Sequence, residues 1–174
     1  MRVMARAAAA SLPLILLATG AAEGATVPSA FFIGKSENRN EVHFAVQATD
    51  ACALAGSEPV YPYWRMRERG AKATEPLLGH EHAAYGLVSQ RVVREPSGES
   101  RVELALRAVP QRTVTVRLRR SEGRCVADAT TRIGGAPARL TRVFVTVGFL
   151  VQVRSVDLHG VRADGSPVVE TLRP

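Results

Sequence analysis

The sequence predicts an all-β protein: a single antiparallel β-sandwich or barrel of roughly nine or ten short strands, preceded by a cleaved leader. Three observations predict it. Apolar residues return at every second position in several segments, turn-forming Gly, Asp and Ser residues separate those segments, and no long apolar stripe at helical spacing follows the leader.

The chain opens with a short basic segment, Met1-Arg2-Val3-Met4-Ala5-Arg6, and continues through an apolar run from Ala7 to Ala18 that holds Leu12, Leu14, Ile15, Leu16 and Leu17. That is the pattern of a signal peptide. The run is roughly a dozen residues, whereas a bilayer span needs about 20, so no transmembrane anchor is expected after cleavage. Small residues at Ala18, Gly20, Ala22 and Gly24 offer cleavage sites, which gives a leader over 1–24 and one domain over 25–174. Cys52 is the first cysteine and no twin-arginine pair precedes it, so a lipid-anchored form is not expected. The expected location is the periplasm or the exterior of the cell.

Two cysteines, Cys52 and Cys125, belong to the mature part. An oxidising compartment favours a disulfide between them, with two buried free thiols as the alternative. The formal net charge is +7, and loss of Arg2, Arg6 and Glu23 with the leader takes it to +6. Nearly all of this charge is arginine spread along the chain, which suits a solvated basic surface or contact with an anionic envelope component. Nucleic acid is not an expected partner outside the cytoplasm.

The elements follow in order. Phe31 to Gly34 is a strand, and the polar stretch Lys35-Ser36-Glu37-Asn38-Arg39-Asn40 after it is a turn or a ligand-facing loop. Val42, Phe44, Val46 and Ala48 then alternate with His43, Ala45, Gln47 and Thr49. Val60 to Arg67 is the most aromatic segment. As a strand it sends Val60, Trp64 and Met66 to one side and Tyr61, Tyr63, Arg65 and Arg67 to the other, while Pro62, lacking an N–H, asks for an edge or a bulge. Glu75 to Ala84 is the one stretch able to hold a short helix.

Alternation resumes at Val102, Leu104 and Leu106, and again at Val114, Val116 and Leu118. Ser121-Glu122-Gly123-Arg124 is a turn, and Cys125, Ala127, Ala129, Thr131 and Ile133 form the inward side of the next strand. Gly134-Gly135 breaks the chain, and Gly148 divides the β-prone stretch from Leu140 to Val153 or marks a bulge in it. A final pair, Val156 to Val161 and Val168 to Leu172, flanks a hairpin turn at Ala163-Asp164-Gly165-Ser166.

Aromatic faces beside arginine donors suit a planar or sugar-like ligand, and the plainer account of Tyr61, Tyr63 and Arg65 is simply a covered sheet face. His80-Glu81-His82 invites a metal, but the spacing matches no zinc motif and none is expected. No nucleophile elbow, phosphate loop or dinucleotide fingerprint is present, so neither catalytic residues nor a cofactor are assigned. Glu68, Glu75 and Glu81 serve as an acid–base pair only if folding brings two of them together.

The order of the segments resembles a bacterial family catalogued as "domain of unknown function 4833". The matching pieces are Phe31-Phe32-Ile33 with Lys35 to Asn40, Val60 to Met66 with Glu68 and Gly70, then Glu81 with Ala84-Tyr85-Gly86. Further pieces are Gly135 to Leu140 with Val143-Phe144-Val145, and the ending from Leu158-His159-Gly160 through Gly165, Val168, Glu170 and Pro174. The resemblance implies an exported bacterial domain and transfers no catalytic residue.

The expected function is non-catalytic binding of a small ligand or envelope component. The candidate binding residues are Tyr61, Tyr63, Trp64, Arg65, Lys35, Asn38, Asn40, Glu81 and Tyr85. The rivals are an interaction module docking through the edge marked by Pro62, and a hydrolase-like enzyme.

Overall fold

A computed structural model describes residues 25–70, 73–148 and 152–173; the leader, its cleavage sites and the residues just after Gly148 lie outside the described residues. Eleven strands are present among them: β1 (Ala25–Lys35), β2 (Asn38–Ala48), β3 (Val60–Arg65), β4 (Thr74–Pro76), β5 (Leu87–Arg94), β6 (Ser100–Leu106), β7 (Val109–Ser121), β8 (Arg124–Ile133), β9 (Ala136–Val147), β10 (Val153–Val161) and β11 (Pro167–Leu172). A 3-10 turn (Arg67–Arg69) and one helix, α1 (Gly79–Tyr85), complete the described secondary structure.

All eleven strands belong to one sheet, in the order β4-β3-β2-β1-β9-β8-β7-β6-β5, with β10 and β11 attached to β9 as a further hairpin. Every pairing is antiparallel except β1 with β9, which is parallel. β9 therefore has three partners and only two edges. β10 follows it from Arg139 to Val147, so β8, paired with Ala136 to Arg139, and β1, paired with Arg142 to Val145, must share the opposite edge in succession.

The change of partner coincides with a bulge. Leu140 pairs with Gly160 and Arg142 with His159, leaving Thr141 as the extra residue, its hydroxyl donating to the His159 carbonyl at 3.1 Å. One extra residue reverses which face each side chain meets. Ala138 and Leu140 face the core before it, Val143 and Val145 after it, and Arg142 and Phe144 are turned to the outer face.

The inner faces of the two sheet halves meet in one core. Phe31, Ile33, Val42, Phe44, Val46 and Val60 on one side pack with Val102, Leu104, Leu106, Val114, Val116 and Ile133 on the other. The alternation read from the sequence at Val42 to Ala48, Val102 to Leu106 and Val114 to Val116 is the core-facing pattern found. The turns also fall where predicted: Ser121 pairs with Arg124 across Glu122-Gly123, and Ile133 with Ala136 across Gly134-Gly135, whose φ of 61° and 83° suits a tight hairpin.

Two short strands go beyond the predicted count. β4 is only three residues, and β5 lacks a clean alternation, because its apolar Val88 is exposed and polar Gln90 is half-buried. The aromatic strand is shorter than expected. It ends at Arg65, and Met66 leads into the 3-10 turn. The helix is also shorter than Glu75 to Ala84, since Glu75 and Pro76 are spent on β4 and Leu78 is still extended.

The ladder does not close into a barrel, because β4 and β5 are its ends. A side chain spans the gap instead: the Gln90 amide donates to the Val60 carbonyl and accepts from the Val60 N–H, both at 3.0 Å. Val60 thus directs its backbone groups away from β2, and Pro62, of the same parity, loses its N–H on that unpaired edge. A disulfide joins Cys52, in the β2–β3 loop, to Cys125 on β8, and Arg120 beside it donates to the Asp50 carbonyl at 2.7 Å.

Two outcomes follow from these ties. Replacing both cysteines by serine is expected to lower the unfolding free energy in urea by up to about 4 kcal/mol, because the bridge closes a long loop in the unfolded chain; the sequence separation is 73. Deleting Thr141 is expected to preserve a single cooperative unfolding transition, since Leu140 then precedes Arg142 directly and regular alternation keeps Val143 and Val145 inward and Arg142 and Phe144 outward. A deletion variant that lost its cooperative transition by circular dichroism would show that Thr141 does more than take up the extra position.

Candidate functional site

The inner face changes character toward one end of the sheet. Along β1 it runs Phe31, Ile33, Lys35, and along β2 Phe44, Val42, Asn40, Asn38, so the same stripe that builds the core turns polar at the mouth. A cavity of about 330 Å³ opens there, lined by Lys35, Asn38, Asn40, Trp64, Glu75 and Glu81 among others. Its walls come from β1, β2, β3, β4 and α1.

Each polar group in this cup is positioned locally. Asn38 Oδ1 accepts from the Asn40 N–H at 3.1 Å, the self-capping expected of Asn in a turn. Asn40, nearly buried, accepts at Oδ1 from the Glu68 N–H at 3.3 Å and so fixes the 3-10 turn against β2. Glu81 lies in the first turn of α1 and accepts from the Leu78 N–H at 2.7 Å, capping an otherwise orphaned donor. Burial pulls the Glu81 carboxyl up, yet the Leu78 N–H, the Trp64 indole and the charges of His80 and Lys35 together hold it below its ordinary range.

Lys35 Nζ sits 5.2 Å from the Trp64 ring centroid and 5.6 Å from that of Tyr85, and 3.6 Å from Glu37. Trp64 and Tyr85 meet edge to face at 5.7 Å. Burial, and the charges of Glu37 and Glu81, raise the Tyr85 phenol and keep it protonated. Trp64 is 94% buried, and its indole N–H has no hydrogen-bond partner within ordinary distance and angle, although Glu81 is near enough to feel it. An indole N–H left unpaired in the wall of a cavity is costly unless something fills it.

The nine sequence-predicted residues therefore divide. Lys35, Asn38, Asn40, Trp64 and Glu81 line the cup, and Tyr85 supports Lys35 from beneath. Tyr61, Tyr63 and Arg65 lie on the opposite face of β3 and do not reach it. They join an outer row set by cross-strand register: Arg142 opposite Phe32, Phe32 opposite His43, His43 opposite Tyr63. The rings follow one another at 5.3 Å (Phe32–His43), 5.7 Å (His43–Tyr63) and 6.2 Å (Tyr63–Tyr61).

Within this row His43 Nε2 is 2.8 Å from Glu41 Oε2, which also accepts from Arg67 Nε at 3.0 Å. Burial outweighs the carboxylate and holds the imidazole below 6.5, with Arg65 and Arg67 pushing the same way. Burial raises the Glu41 carboxyl, but the hydrogen bonds and charges of His43 and Arg67 prevail and set it below 4.5. At neutral pH His43 is thus the neutral tautomer donating from Nε2. Burial also raises the Tyr63 phenol.

His80 and His82 occupy a helical turn, which points residues two apart in different directions. Among the described residues no group of three His, Cys, Asp or Glu side chains is arranged to hold a metal ion, and no helix is long and apolar enough to cross a membrane. Sequence reasoning missed Phe32, His43, Arg142 and Phe144, because their shared face follows from strand register. It also missed an apolar cavity of about 360 Å³ lined by Tyr85, Ala108, Val145, Val156 and Leu172 with their neighbours.

The electrostatics of Glu41 and His43 fix a pH response. Both folded pKa values are depressed, so both groups stabilise the fold above their unfolded values and lose that contribution as pH falls. Wild-type stability is expected to decline first below 6.5 and again below 4.5. In His43→Phe the first decline is expected to vanish, as urea midpoints measured along a pH series would show; an unchanged slope in that window would refute the assignment.

A protein-family model described as "Domain of unknown function (DUF4833)" matches residues 31–171, a span that includes the cup and the outer row. No curated protein and no solved structure matches the chain.

Proposed function

The chain belongs to the family of the domain of unknown function 4833, and on that premise we propose that it is a non-catalytic binding protein working outside the cytoplasm, in the periplasm or beyond the cell. It takes a small ligand or envelope component into the cup at the mouth of the sheet. The leader pattern over 1–24 supports the location, and the disulfide between Cys52 and Cys125 is in keeping with it.

The observation that carries the binding role is the convergence of five separate elements on one small cavity with the unpaired Trp64 N–H in its wall. The Trp64 indole supplies a donor, the Lys35 ammonium a cation, and Asn38, Asn40 and Glu81 supply further polar groups. An aromatic wall beside converging donors and acceptors suits a small polyhydroxylated, sugar-like ligand, whose C–H face packs on the ring while its hydroxyls satisfy the polar rim. An oligomeric chain end presents the same groups.

Trp64 is the chain's single tryptophan, so its emission reports on the cup directly. Native mass spectrometry of protein purified from its own compartment is expected to show a bound small molecule on wild type. Trp64→Phe, which keeps the ring but removes the donor, is expected to weaken binding about fivefold, the worth of roughly one hydrogen bond. Identical clean masses for both proteins, with Trp64 emission indifferent to a panel of mono- and disaccharides, would overturn the proposal.

A further inference from the structure

A third cavity, of about 640 Å³, lies on the other side of the β1–β2 hairpin, against the outer face. Arg142 forms its floor. The bulge at Thr141 puts this residue on the outer face, and its guanidinium carbon rests 4.3 Å from the Phe144 ring centroid and 5.9 Å from that of Phe32. Gly34 makes the space: a Cβ there would come within 3.3 Å of Arg142 Nε and Nη2. The guanidinium is thereby packed against two rings, which lowers the entropy lost when its fork engages a ligand.

The charge of Arg142 is met, among the described residues, by aromatic faces and not by an anion. Among the described residues no carboxylate lies within ion-pair distance of it, and its Nε–H is buried without an acceptor. The one carboxylate lining the same cavity, Glu41, already accepts from His43 and Arg67. Arg39 and Arg67 are the other cations around it, while the Lys35 ammonium is turned to Trp64, Tyr85 and Glu37 on the inner side of the hairpin. Part of the desolvation of Arg142 is thus already met by the fold, so an arriving anion gains more from pairing there than at a hydrated surface arginine.

We propose that this groove is a binding site for a phosphate group, carried either on a soluble molecule or on a lipid headgroup. A planar, pinned guanidinium recognises oxyanions through two parallel N–H donors. Three arginines, Arg142, Arg39 and Arg67, around the single carboxylate of Glu41 leave a surplus of two positive charges, which matches a dianionic phosphate better than a singly charged carboxylate. The site is separate from the sugar-like cup: the two share the hairpin residues, but Arg142 and Phe144 belong to the groove and Trp64 to the cup.

The test is titration of the intact mature protein with inorganic phosphate at constant ionic strength, following the Arg side-chain Nε–H resonances. Arg142 and its groove neighbours Arg39 and Arg67 are expected to show saturable shifts, the neighbours' response being absent in Arg142→Gln and weakened at least about tenfold in affinity in Arg142→Lys, which keeps the charge without the fork. Trp64→Phe is expected to leave it unchanged, which distinguishes failure of this site from failure of the cup. Cosedimentation with vesicles containing phosphatidic acid, whose phosphate monoester can carry two negative charges, against phosphatidylcholine vesicles, identifies the source. Capture by the former that free phosphate reverses indicates a headgroup, and saturation by phosphate without capture indicates a soluble ligand. Responses of equal size in wild type and Arg142→Gln, with circular dichroism showing both folded, would overturn the proposal.

Discussion

β9 is asked to pair with three strands on two edges, and the bulge at Thr141 is where that demand is met. Before the bulge the strand completes one antiparallel meander through β8. After it the same edge accepts β1 in parallel, and the chain's first half joins its last. β8 and β1 diverge from this point, so the sheet opens into two halves whose inner faces supply the core. The disulfide, the Arg120 bond to Asp50 and the Gln90 bridge to Val60 all tie the two halves together at places where the backbone ladder does not.

The reversal of facing at Thr141 has chemical consequences at both ends of its range. It sets Val143 and Val145 into the core and turns Arg142 and Phe144 outward beside Phe32. Without it a guanidinium would enter an apolar interior, at a cost no partner there could offset. The outward setting of Arg142 and Phe144 beside Phe32 therefore depends on the bulge that takes up Thr141.

The cup arises from a different constraint. Inward-facing positions of β1 and β2 must be apolar only as deep as the two halves pack. Where they separate, the stripe passes from Ile33 and Val42 to Lys35, Asn40 and Asn38, and α1 covers the opening with Glu81 and Tyr85. Lys35 is partly removed from water there, and its positive charge is accepted by the faces of Trp64 and Tyr85 as well as by Glu37. On the outer face the balance is opposite, because burial keeps His43 neutral even against the Glu41 carboxylate.

The amino-acid sequence by itself determined what depends on neighbours along the chain. Period-two alternation at Val42 to Ala48 and Val102 to Leu106, and glycine pairs at tight turns, fix strands and hairpins because side-chain facing and backbone φ are local properties. The two faces of Val60 to Arg65 were legible for the same reason, as were the polar residues that ended in the cup. Tertiary structure alone decided which of those faces meet. Tyr61, Tyr63 and Arg65 were grouped with Lys35 and Asn38 as candidate binding residues, yet they are separated from them by the thickness of the sheet, because β3 turns only Trp64 toward the mouth. The position of Arg142 between Phe32 and Phe144 depends on a parallel pairing between strands more than a hundred residues apart and on a bulge within one of them. The bulge leaves only the shift of apolar residues from even positions, Ala138 and Leu140, to odd ones, Val143 and Val145. The pairing leaves no mark in local periodicity, since register is set by the packing of the whole core rather than by any one segment.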